Sequence, residues 1–171
     1  MGIKQFSGRY LQDEDRLLFR LNTTNGMEYR FLLTRNITRK LIAGNRKQLS
    51  GLVNLQHPGA AGDAVVRFKQ EALRQHTDLA QPFTPAAAQP LGAQPVLVLD
   101  ARHALDGKSA SPQVVLRLRL ANGQEAVFHL PQETLERMQL LLDQLQQRAA
   151  WDLQPANGPP PLLAGGSGEV H

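Results

Sequence analysis

An α+β fold is what this sequence predicts: an antiparallel sheet made by two related hairpin-helix units and covered by about three helices. Three observations carry that expectation. Two segments align without a gap at an offset of 97 residues, Leu17–Leu33 with Val114–Leu130, and Arg, Leu, Asn, Gly, Glu, Phe and Leu recur in place. Each segment holds an Asn-Gly pair between apolar runs, the short-range signature of a hairpin, because both residues tolerate the positive φ of a tight turn. Each is then followed by a stretch with apolar residues at helical spacing.

Taken along the chain, Ile3, Phe6, Tyr10 and Leu11 supply a leading strand, and Asp13-Glu14-Asp15 is a polar connection. In the first hairpin, alternation places Phe19, Leu21 and Thr23 with Tyr29, Phe31 and Leu33 on one face. In the second, Leu116, Leu118 and Leu120 join Ala126, Phe128 and Leu130. A two-residue Asn-Gly loop would set Leu118 opposite Val127 and split these faces, so an odd loop or a bulge is expected in both hairpins. Thr34 is placed to cap the first helix, with Ile37, Leu41, Leu49 and Leu52 on its apolar side. Asp63 opens a helix over about Ala64 to Leu79, with Val65, Phe68, Ala72, His76 and Leu79 on one side. Four prolines between Ala80 and Pro95 mark a linker or a long ordered connection. Val96-Leu97-Val98-Leu99 reads as a buried strand. Pro131 suits the first position of the last helix, whose stripe is Leu135, Met138, Leu142, Leu145 and Ala149. The organisation expected is one domain over 1–154: unit one over about 1–56, a connecting helix and Pro-rich linker over 57–95, and unit two over 96–154. A disordered tail of Pro, Gly and Ser follows over 155–171.

Composition narrows function by exclusion. The chain has no cysteine, so disulfides, thiolate catalysis and Cys-ligated metals are ruled out. The first residues lack the apolar core of a secretory signal, and no run is long enough to span a membrane, which points to a cytoplasmic protein without membrane contact. None of the five histidines has a ligand partner at i+4. Gly59-Ala60-Ala61-Gly62-Asp63 lacks the lysine and hydroxyl of a phosphate loop, and its aspartate would repel a phosphate. Ser109 and Ser111 have no nucleophile-elbow glycines around them. No catalytic, cofactor-binding or metal-binding residue is assigned, and no enzyme activity is expected.

Charge is the feature with a direction. Residues 1–50 hold ten Lys/Arg against four Asp/Glu, although the whole chain carries only +4. Arg30, Arg35, Arg39, Lys40, Arg46 and Lys47 fall in a stretch with no acid, and they form the candidate surface for a polyanion or an acidic partner. Leu140 and Trp151, on the far side of the last helix, form the candidate protein contact.

Phe31-Leu32-Leu33-Thr34-Arg35-Asn36-Ile37-Thr38, Phe68-Lys69-Gln70-Glu71-Ala72-Leu73 and Asp78-Leu79-Ala80-Gln81-Pro82-Phe83 resemble segments of a family of uncharacterised bacterial proteins. The resemblance covers about the first half of the chain. It implies a bacterial cytoplasmic origin and brings no activity, substrate or cofactor with it. The expected function is a non-catalytic binding or scaffold module acting through contacts with an unidentified protein partner, in a chain that could also self-associate. Nucleic-acid binding through the basic helix is the alternative reading, and an enzyme assembled only in three dimensions is the third.

Overall fold

A computed structural model describes residues 2–58, 64, 67, 68, 71, 72 and 82–153. The first unit runs β1 (Ile3–Leu11), β2 (Arg16–Thr23), β3 (Glu28–Leu33) and α1 (Arg35–Gln56); the second runs β4 (Val96–Asp106), β5 (Gln113–Leu120), β6 (Glu125–Pro131) and α2 (Gln132–Arg148). All six strands share one sheet in the order β1-β2-β3-β4-β5-β6.

The hairpins form as their sequence requires. Leu17 pairs with Leu33 and Phe19 with Phe31 in the first; Val114 pairs with Leu130 and Leu116 with Phe128 in the second. Every one of these pairs maps onto its counterpart at the offset of 97. The expected odd loop is present in both copies. Thr23 N–H bonds the Met27 carbonyl at 2.9 Å and Leu120 N–H bonds the Gln124 carbonyl at 3.0 Å, leaving three residues in each loop. Gly26 and Gly123 take φ of 78° and 83°, the left-handed conformation that glycine adopts without steric cost. The odd count keeps the large apolar residues of both strands on one face. The leading strand of each unit repeats as well: β1 shifts register between Ile3 and Gln5, and β4 shifts between Val98 and Asp100.

Two features correct the sequence expectation. The sheet is mixed, not antiparallel, because β3 and β4 pair in parallel through Phe31–Val96 and Leu32–Leu97. Tight turns reverse the chain within each unit, whereas a 22-residue helix and a long connection between β3 and β4 return it to the end from which β3 started. Among the described residues two helices, not about three, cover the sheet. The expected helix over 64–79 lies mostly outside the described residues, although Ala64, Arg67, Phe68, Glu71 and Ala72 have helical backbone. Phe68, its largest apolar residue, is 78% exposed and adds nothing to the core. The tail over 155–171 lies outside the described residues.

Thr34 caps α1, its hydroxyl oxygen accepting from Ile37 N–H at 3.3 Å. α1 continues through Gly44 and Asn45. Gly44 leaves room for the His103 imidazole from β4, a place where any Cβ would clash with the ring. One core runs through both units, joining Phe19, Phe31, Leu41, Leu49 and Leu52 to Leu116, Phe128, Leu135, Met138, Leu142 and Leu145.

The two units meet about an internal two-fold relation. Phe31 and Phe128, 97 positions apart, touch edge to face with centroids 6.1 Å apart. Arg46 and Asp143, also 97 apart, form an ion pair at 3.1 Å between α1 and α2. Contact between equivalent positions is what an approximate two-fold relation between the units produces, as at the interface of a symmetric dimer.

Candidate functional site

Alternation along β1–β3 that buries Phe19, Leu21 and Phe31 turns the residues between them outward. Across the sheet, register sets Gln5 beside Asn22 and Asn22 beside Glu28, then Ser7 beside Arg20 and Arg20 beside Arg30, then Arg9 beside Leu18 and Leu18 beside Leu32. Two arginines directly opposite would repel. Glu28 resolves this. It is 1% exposed, and its Oε1 accepts from Arg20 at 2.8 Å and from Arg30 at 2.7 Å. Burial alone would push this carboxyl up, but the bonds from Arg30 and Arg20, with Ala86 N–H on Oε2 at 3.0 Å, outweigh it and hold the pKa below the usual value.

The Pro-rich residues 82–95 are the lid over this cluster, and we call them the strap. Gln5 bonds the Pro82 carbonyl and accepts from Thr84 N–H. Asn22 donates to the Thr84 carbonyl. The Arg20 guanidinium lies 4.1 Å over the Phe83 ring, and Arg30 donates to the Ala93 carbonyl at 2.8 Å. Glu28 N–H bonds the Ala88 carbonyl at 2.8 Å. The strap ends as one wall of a groove of about 590 Å³, whose lining includes Arg9, Leu11, Glu14, Leu18, Arg20, Arg30 and Leu32. The groove therefore offers three guanidinium groups beside three leucines, in a volume within the range of ligand and peptide sites.

The six basic residues expected to form one surface are dispersed by pairing. Arg30 faces the groove. Arg35 pairs with Asp15 at 3.2 Å and lies 5.5 Å from the Trp151 ring. Lys40 pairs with Asp100 at 2.9 Å, and Arg46 with Asp143. Arg39 and Lys47 are exposed and have no partner among the described residues. Leu140 is half-buried. Trp151 is 4% exposed; its indole donates to Asp15 at 2.7 Å and packs edge to face on Tyr10, so its surface is covered by this chain. The Trp151 indole, with Tyr10 and Arg35, holds the Asp15 carboxyl below its ordinary value.

Arg9, Arg20 and Glu28 were not singled out from the sequence. One signal for two of them was present: Arg20 and Glu28 are among the residues repeated, as Arg117 and Glu125. In unit two that pair is 3.2 Å apart with both side chains 52% exposed, and among the described residues no strap lies over it.

On the inner face, His103 is held between α1 and β4, its ring 2.9 Å from the Asn45 oxygen. Burial lowers its pKa to about 4. An imidazole of ordinary pKa 6.5 in the unfolded chain takes up a proton there first, so stability is full above pH 6.5 and falls as pH drops toward 4. The expected loss is about 3 kcal/mol over that window. Chemical unfolding at pH 7 and pH 4.5 measures it, and His103→Gln should flatten the difference; an unchanged slope in that variant would place the acid sensitivity elsewhere.

Among the described residues no group of three or more His, Asp or Glu side chains is placed to hold a metal, and no helix is long and apolar enough to cross a membrane. Comparison with protein-family models, with curated proteins and with solved structures finds no match.

Proposed function

We propose that this chain is a non-catalytic binding module of a bacterial cytoplasm, and that it takes an acidic, partly apolar segment of a protein partner in the groove between β1–β3 and the strap. The observation that supports this reading is the juxtaposition of Arg9, Arg20 and Arg30 with Leu11, Leu18 and Leu32 in one cleft. Arginine flanked by apolar surface is typical of protein-recognition anchors, since guanidinium groups bind carboxylates in fixed geometry while the leucines supply desolvated area. Arg20 and Arg30 are already oriented by Glu28, so binding costs little side-chain ordering.

The groove replaces the α1 basic face as the favoured surface, because Arg35, Lys40 and Arg46 of that helix are paired one to one with Asp15, Asp100 and Asp143, whereas Arg20 and Arg30 share a single carboxylate. Affinity capture from the native cytoplasm, with and without nuclease, tests the reading. A protein captured in both conditions and reduced at least tenfold by Arg9→Glu with Leu18→Gln is the expected result, while Arg39→Glu with Lys47→Glu leaves it unchanged. Capture that disappears with nuclease, or that survives the groove variant, overturns it. Thermal melts of both variants verify that they fold.

A further inference from the structure

The duplication carries a second consequence, on the other unit. The free side of β3 is not free: near the loop, Glu28 N–H bonds the Ala88 carbonyl and Ala88 N–H reaches the Gly26 carbonyl at 3.4 Å, a parallel bridge of Met27 with Ala88. Further along, β4 takes over at Phe31 and Leu32. Residues 88–97 thus serve that edge at its two ends, through the bridge at Ala88 and, after a turn over Gln89–Gly92, through the strand pairing of Val96 and Leu97. Its counterpart β6 has the same register, the same three-residue loop and the same Arg–Glu pair, yet among the described residues it pairs with β5 alone.

Antiparallel pairing says which β6 groups are available. Leu120 N–H bonds Gln124 across the loop, and hydrogen-bonded pairs alternate. Ala126, Phe128 and Leu130 therefore turn their N–H and C=O groups toward β5, while Glu125, Val127 and His129 turn theirs to the open edge. Glu28, the counterpart of Glu125, bonds the strap from this very position. Pro131 occupies the next outward position, where a missing N–H costs no ladder bond.

We propose that the β6 edge is a second interaction site, which accepts an extended, proline-flanked segment of a partner protein running parallel to β6, as β3 accepts the strap. Three anchors of the strap have equivalents. The Arg117 guanidinium, in the place of Arg20, receives an aromatic ring as Arg20 does Phe83. The Glu125 carboxylate receives a backbone N–H as Glu28 does that of Ala86. The outward backbone of Glu125, Val127 and His129 supplies the strand pairing. Arg119 stands where Asn22 donates to a strap carbonyl and keeps a donor there. Val127 stands for Arg30, so the aromatic and backbone contacts carry more of the affinity than at β3. The groove of unit one takes no part, and the two sites can fail separately.

The strap itself supplies the probe. A synthetic peptide of residues 82–95 is titrated against the isotope-labelled full chain and followed by amide NMR. Shifts concentrated at Glu125, Val127, His129 and Arg117 are expected, with affinity at least tenfold lower in Val127→Pro and several-fold lower in Glu125→Ala. Proline at Val127 removes an outward N–H and leaves the β5 ladder intact, so its thermal melt should be near that of the parent. Shifts confined to Arg20, Glu28 and Arg30, where the peptide would displace its own copy, overturn the proposal, and so do equal affinities in the proline variant. A concentration-dependent dimer that Val127→Pro dissolves would assign the edge to a second copy and overturn it as well.

Discussion

Glu28→Ala is expected to destabilise the protein by about 3–5 kcal/mol, the usual cost of removing one partner from a buried ion pair. The carboxylate is enclosed, and its loss strips Arg20 and Arg30 of their shared acceptor and Ala86 N–H of its bond. The two guanidinium groups then face each other across β2 and β3 with nothing between them, and the strap loses its central anchor. Glu125→Ala removes the same residue from the equivalent position of unit two. There the pair with Arg117 is half exposed, where such bridges are worth about 1 kcal/mol or less. Denaturant unfolding of the two variants under one set of conditions gives the comparison, and equal losses would mean that the strap does not enclose Glu28 in solution. The acid limb provides a second reading. Glu28 has a folded pKa below its ordinary 4.5, so its contribution is present above pH 4.5 and lost as pH falls through the lower folded value. The alanine variant should lack that part of the acid transition.

The contrast between Glu28 and Glu125 shows where sequence reasoning stops. Much that is local was legible. The Asn-Gly loops, the odd residue count, the Thr34 cap and the apolar stripes of α1 and α2 depend on neighbours within a turn or a hairpin. The repeat exposed the shared Arg and Glu because identity at a fixed offset needs no structure. What made one copy a site was not local. Phe83, Ala86 and Ala93 meet Arg20, Glu28 and Arg30 from about 60 residues away, and a Pro-rich run carries no pattern that names the surface it will lie on. The pairing of the basic cluster was hidden for the same reason. Arg35, Lys40 and Arg46 looked unopposed along the chain, but Asp15, Asp100 and Asp143 reach them through the fold. Trp151, placed outward by helical phase, lies beyond the end of α2 at Arg148, where that phase no longer applies. The parallel β3–β4 pairing was hidden by the equal plausibility, in sequence, of a strand returning on either side.

The internal two-fold relation makes the other large effect one that can be measured as a coupling. Phe31→Ala and Phe128→Ala should each cost about 3–5 kcal/mol, since both rings are fully buried. The space between Phe19, Phe31, Phe128 and Met138 amounts to about 10 Å³, at the threshold for a single water, so the core has no slack with which to relax around a deletion. If the rings merely occupied separate parts of the core, the losses would add. They touch edge to face at 6.1 Å, and Tyr29 packs on Phe128 at 5.2 Å from the strand that carries Phe31. The double variant should therefore lose about 0.5–1.5 kcal/mol less than the sum of the singles. Phe19→Ala with Phe128→Ala gives the comparison cycle, because those two rings make no ring contact and should couple more weakly. Strict additivity between Phe31 and Phe128 would mean that the halves are joined by the chain and the β3–β4 pairing rather than by packing about a shared axis.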